Sequence, residues 1–165
     1  MKKFLISLVV VLVLNTQAFG AENLGAEKQN VISMDLLDFT REVASVQYER
    51  VFDPQWTFHV SPRILIGDVN GLGIIGGIRR YIDLAPKGVF LDMVGGLASV
   101  SSGWATGRGY LFGGGMGYKF FPSEDFAIEG CLGISYLSAT ASIGWFSATV
   151  SGMAVTGSLS LGYAF

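Results

Sequence analysis

From Gln29 onward the chain alternates apolar with small or polar residues at a period of two, most regularly at its C-terminus. Between Met153 and Phe165 the odd positions read Met153, Val155, Gly157, Leu159, Leu161, Tyr163 and Phe165, and the even ones Ala154, Thr156, Ser158, Ser160, Gly162 and Ala164. Successive side chains of a strand point to opposite faces, so this segment has one apolar face and one narrow, hydrophilic face. Residues 110–120 and 126–136 repeat the design, with Tyr110, Phe112, Met116, Tyr118 and Phe120, then Phe126, Ile128, Leu132, Ile134 and Tyr136, on the apolar side. Eight strands are predicted, at 30–37, 43–52, 56–65, 72–82, 88–100, 109–121, 126–138 and 149–165.

The connections differ by end. Those at 53–55, 83–87 and 122–125 are short and hold Pro54, Pro86 and Pro122; those at 38–42, 66–71, 101–108 and 139–148 are mostly longer and richer in Gly, Ser and Thr. An even number of strands with short turns at one end and longer loops at the other is the pattern of an outer-membrane barrel. A soluble barrel of the lipocalin type also alternates, and the contents of the second face separate the two. Here that face is Gly, Ala and Ser with isolated charges, too small for a solvated exterior, which predicts that the apolar face looks outward into lipid. Closing the sheet removes the unpaired edges that lipid would penalise. The 23 glycines then make room inside a narrow ring for the long side chains opposite them. Aromatic residues gather near the strand ends, as expected of girdles at the two headgroup layers: Phe52, Trp56, Phe58, Tyr118, Phe120, Phe126, Tyr163 and Phe165 at one end, Tyr110, Phe112 and Tyr136 toward the other.

The N-terminus has the parts of a secretory signal. Lys2 and Lys3 precede an apolar run from Phe4 to Leu14, and Ala18-Phe19-Gly20 offers small residues for cleavage after Gly20. The run is too short to span a bilayer as a helix, which needs roughly 20 residues. The expected organisation is a signal peptide at 1–20, a short periplasmic segment at 21–29 and the barrel at 30–165. Cys131 is the single cysteine, so no intrachain disulfide forms even in an oxidising compartment, and no lipid-bearing cysteine follows the apolar run. Half the residues are hydrophobic and the formal charge is only −2, which excludes a disordered chain and argues against a nucleic-acid partner.

With its signal, hairpin rhythm and final Leu159-Ser160-Leu161-Gly162-Tyr163-Ala164-Phe165, the chain resembles the small eight-stranded outer-membrane barrels of the OmpA/OmpX and opacity-protein type. The resemblance implies an all-β, up-and-down, monomeric transmembrane barrel in a Gram-negative outer membrane. It also implies Leu161, Tyr163 and Phe165 as a terminal assembly signal. The implied partners are outer-membrane lipid and lipopolysaccharide, with the Sec translocon, periplasmic chaperones and the barrel-assembly machinery during biogenesis. Such barrels serve diverse roles, so architecture alone names no activity.

Parity puts Asp35, Glu49, His59, Arg63, Arg79, Asp92, Lys119 and Glu129 on the inward row. A turn at 53–55 pairs residues whose numbers sum to 108, setting Glu49 opposite His59 and Gln47 opposite Ser61; pairing Ile82 with Val89 sets Arg79 opposite Asp92. Lys119 is diagonal to Glu129, or opposite it if the register slips by two. Unpaired charges in such an interior would cost several kcal/mol, so a cross-linked network that plugs the tube is expected rather than a porin-like open channel. Ser61, His59 and Glu49 have the composition of a nucleophile, base and orienter, and His59-Val60-Ser61 resembles the His-x-Ser motif of a barrel lipid A deacylase. The motif faces inward in the third strand, however, while lipid lies outside. The expectation is a non-enzymatic protein without metal or cofactor, with a structural or surface-interaction role. A lipid A-modifying enzyme and a soluble lipocalin-like binder stand as alternatives. Trp104, Arg108, Trp145 and Phe146 are the candidate extracellular contacts.

Overall fold

The computed structural model describes residues 28–66 and 70–165. The expected signal peptide and most of the segment at 21–29 lie outside them. Among the described residues the strands are β1 (Asn30–Asp35), β2 (Val43–Ser45), β3 (Gln47–Asp53), β4 (Trp56–Ile66), β5 (Asn70–Tyr81), β6 (Gly88–Ser102), β7 (Ala105–Phe120), β8 (Phe126–Ile143) and β9 (Phe146–Ala164), with one short helix, α1 (Leu36–Phe39). All pairings are antiparallel and follow chain order from β3 to β9; β1 then joins β9 to β3 and closes the sheet into a ring. β2 and β3 lie along one line. Both pair with β4 in registers that sum to 108 until a shift past Val51, where Asp53 pairs with Trp56, and they are separated at Val46, opposite Pro62. Pro62 has no N–H to donate, so the ladder is interrupted where the proline sits.

The turns at 53–55, 82–87 and 121–125 form one rim. At the other, two expected loops are absent. Instead of breaking at 101–108 and 139–148, the strands run on to two-residue hairpins, Ser102 pairing with Ala105 and Ile143 with Phe146. Gly103 and Gly144 take φ of +56° and +58° at the first turn position, which suits Gly-X hairpin turns. A Cβ at either would meet nothing within 4 Å, so any penalty there is purely conformational. Gly144→Ala is therefore expected to cost about 1–2 kcal/mol locally. The check is faster amide hydrogen exchange from Ile143 to Phe146, with the unfolding midpoint of the ring unchanged. The other difference is at 36–42, where Asp35 ends β1 by accepting a hydrogen bond from the Leu37 amide at 2.9 Å and starts α1.

Two glycines show why a narrow ring needs them. A Cβ on Gly77 would collide with the His59 ring, its partner on β4, and one on Gly117 with the Phe90 ring, its partner on β6. The outer face sorts by height. From Phe120 up to Tyr110 on β7, and at matching levels on its neighbours apart from Ser138 and Ser151 in the top row, outward side chains are apolar, including Met93 (74% exposed), Leu132 (71%) and Val155 (81%). The ten steps from Phe120 to Tyr110 rise roughly 25 Å in a tilted strand. Above lie two outward rows of polar residues, Ser99, Arg108, Thr140 and Thr149, then Ser101, Thr106, Ser142 and Ser147. Outward-facing Arg50 and Arg80 sit near the turn rim, Arg80 over the Trp56 ring at 5.7 Å.

Candidate functional site

The interior is layered. At the turn rim Val51, Tyr81, Ala85 and Phe90 form an apolar stopper, held in place because Ala85 of the 82–87 turn donates its amide to the Pro54 carbonyl at 2.8 Å. Directly above lies a charged network with Arg79 as its hub. Arg79 grips Glu129 with both terminal nitrogens at 2.9 Å, Glu49 with Nη1 at 2.7 Å and Asp92 with Nε at 3.1 Å. Its guanidinium rests on the Phe90 ring, 4.6 Å from the centroid. Lys119 bridges Glu49 and Glu129, the latter at 2.9 Å. Glu49 also accepts from the hydroxyls of Thr57 and Tyr81, each at 2.8 Å, and His59 Nε2 meets Asp92 at 2.9 Å. All these side chains are almost wholly buried. Charge-assisted, partly bidentate bonds among six strands, β3 to β8, tie opposite walls of the ring together.

The inward row predicted from parity is the one found. Glu49 faces His59, Arg79 faces Asp92, and Lys119 faces Glu129, the register having slipped by two at the 121–125 turn. Two predicted members stand apart. Asp35 is inward and buried but serves backbone amides, those of Leu37 and Leu159, rather than a cation. Arg63 pairs with Asp38 at 3.3 Å, a residue placed by sequence in a loop. Thr57, Tyr81 and Asp38 were missed. Thr57 and Tyr81 share the parity of His59 and Arg79, so parity alone could have found them; Asp38 depended on α1.

Ser61, His59 and Glu49 do not assemble into a relay. They share a wall, but His59 Nε2 is taken by Asp92 and Glu49 by Lys119, Arg79, Thr57 and Tyr81. Above the network the ring encloses a cavity of about 160 Å³. One wall is polar and charged, with Gln47, His59, Ser61 and Arg63; the facing wall of β7 to β9 is made of small residues such as Gly115, Gly133, Ser158 and Ser160. Four buried polar atoms around it have no partner: Asp38 Oδ2, Gln47 Nε2, His59 Nδ1 and Arg63 Nε. No cluster of three or more His, Cys, Asp or Glu suited to a metal occurs among the described residues.

No family model, curated protein or solved structure matches the chain. Its reading therefore rests on geometry.

The remaining predicted residues lie at opposite ends. Leu161 and Tyr163 are on the outward row of β9, each paired to β1 and β8, and Phe165 follows with two backbone hydrogen bonds to Asn30. Trp104, Trp145 and Phe146 occupy the two hairpin tips in near-complete exposure, with Arg108 on the outward face below them. Trp104 lies eight positions before Phe112, placing the tips roughly 20 Å beyond the Phe112–Tyr136 aromatic pair.

Proposed function

We propose that this ring is an eight-stranded transmembrane β-barrel of a Gram-negative outer membrane, related in type to the OmpA/OmpX and opacity proteins, with a closed lumen and a structural or surface-interaction role. One observation carries the reading: the molecule is inside out. Most of the charged side chains that its strands turn inward are bonded to one another, while an apolar belt roughly 25 Å tall faces outward, the height of the lipid-facing band of such barrels. A lipocalin-like soluble barrel would need the reverse arrangement. The bonded network across the lumen speaks against a diffusion pore, and the separation of Ser61, His59 and Glu49 into different bonds speaks against a serine hydrolase.

In this reading the two polar rows above the belt stand in the aqueous layer, and the Trp104 and Trp145 tips lie too far out to anchor in the same headgroups as Phe112 and Tyr136. They suit contact with lipopolysaccharide sugars or another surface. The outward Leu161, Tyr163 and Phe165 serve the assembly machinery after Sec export and chaperone transit. Cell fractionation with gel mobility before and after boiling tests the proposal. Recovery in the outer membrane with a heat-dependent mobility shift is expected. A soluble periplasmic product with no shift would overturn the reading.

A further inference from the structure

The ring is incomplete on one side. β1 pairs with β9 only from Ser160 to Ala164, and the first amide beyond, that of Leu159, is satisfied by the Asp35 carboxylate at 3.3 Å. From Gly157 to Met153 the β1-facing edge of β9 has no ladder partner among the described residues. The chain has left the wall there to form α1, which packs against β9 and β2 and turns Asp38 inward to Arg63 while Leu36 and Phe39 stay exposed. Leu159 and Met153 are outward residues of the apolar belt, so this gap opens sideways at the level of its upper half. Unpaired backbone is tolerated at such a depth only where it is covered by protein or lines a polar, hydrated space. The cavity of about 160 Å³ is that space, and Ser158 and Ser160 of β9 line it.

We propose that the cavity is a binding site for a small phospho-ammonium zwitterion, the chemistry of a phosphoethanolamine headgroup. Asp38 (2% exposed) and His59 (4%) line it, each with an unpartnered polar atom, Oδ2 and Nδ1. Arg63 Nε and Gln47 Nε2 add two unpartnered donors on the same wall. Buried polar groups are normally bonded, so four orphans around one space mark a site with an occupant to accept and donate. The sign of the occupant follows from the walls. Asp35, Asp38 and Asp92 are balanced by Arg41, Arg63 and Arg79, so an ion of either sign would meet as much repulsion as attraction. An ammonium reaching Asp38 Oδ2 and a phosphate reaching Arg63 Nε, with Arg41 and His59 beside it, answer both signs at once. A neutral polyol would leave both charges with neutral partners, where ionised ones make bonds about twice as strong. Water would fill the same space but would bring no charge to either side. The group can arrive on a lipid through the α1 gap or as a soluble ester through the hairpin rim; only the first route rests on the membrane reading.

The test is titration of the folded, nitrogen-15-labelled full chain in octyl glucoside micelles with O-phosphoethanolamine, inorganic phosphate and ethanolamine in parallel. Saturable shifts of the Arg63 Nε and His59 ring signals are expected for the zwitterion, about tenfold tighter than for either half alone. Asp38→Asn and Arg63→Gln should each weaken binding about tenfold or more, Ser158→Trp should abolish it by filling the space, and Lys87→Gln at the turn rim should leave it unchanged. The heat-dependent gel shift of each variant checks that the ring still forms. Nanodiscs of phosphatidylethanolamine and of phosphatidylglycerol separate the sources: the same shifts with the former alone place the group on a lipid, and shifts with only the soluble ester place it in the aqueous phase. No saturable shift from either source, or phosphate alone binding as tightly as the zwitterion, overturns the proposal. Failure of the membrane reading would show separately, as a chain that stays folded and soluble without detergent.

Discussion

Replacing Arg79 with methionine is expected to cost about 3–5 kcal/mol of stability. The guanidinium is the hub on which Glu49, Asp92 and Glu129 converge, and without it Glu49 and Glu129 would share Lys119 while Asp92 would keep only His59. Methionine fills much of the volume and still packs on Phe90, so the loss reports uncompensated charge rather than a hole. Two companions sharpen the result. Arg79→Lys keeps the charge but not the fork that grips both Glu129 oxygens, and should fall between the two. Adding Asp92→Asn to Arg79→Met removes one stranded carboxylate and should recover part of the loss. The check is the urea midpoint for loss of the folded, fast-migrating gel band. A midpoint unchanged in Arg79→Met would mean that water reaches the network and that the lumen is not closed.

Leu132→Arg should cost about 2–4 kcal/mol, as expected for a cation near the bilayer midplane on the lipid face. Leu132 lies near the middle of the apolar belt, paired to Met116 and Gly157, and touches little of the protein. Its substitution is therefore a test of surroundings rather than of packing. Were the belt in water, the same change would fall within about 0.5 kcal/mol, the range of ordinary surface substitutions. Ser142→Arg, outward on the same strand but above the belt, should be neutral in either setting. The difference in refolding free energy into lipid vesicles between the two variants carries the result.

Much of this was written in the sequence, and the physics explains where it stopped. Wherever large apolar residues alternate with small ones, as in 153–165, parity fixes which face each charge takes, and the proline-bearing turn at 53–55 fixes a register that holds from Val51 back to Val43. The signal fades where both faces are small and polar. From Ala139 to Ser142 and from Ser147 to Ala148 both faces are small or polar, and the strands there were read as loops. Gly103-Trp104 and Gly144-Trp145 carried the turn chemistry of two-residue hairpins and could have revealed the continuation. The Arg63–Asp38 pair was hidden differently. It depends on the chain leaving the wall after Asp35, a tertiary event with only a four-residue helix as its local sign. Tyr81 and Phe90 show a third limit: inward parity was equated with small or polar residues, whereas the end of a narrow ring needs bulky ones to close it.

The central claim, that the apolar belt faces lipid while the polar rows above it face water, is tested most directly by spin-label accessibility along the outward row of β6. Single cysteines at Leu91, Met93, Leu97, Ser99 and Ser101 in a Cys131→Ala background sample both zones without disturbing the interior. The account predicts oxygen-accessible, nickel-chelate-shielded labels from Leu91 to Leu97 and a switch to chelate access at Ser99 and Ser101. Chelate access at Leu91, Met93 and Leu97 equal to that at Ser101 would contradict it.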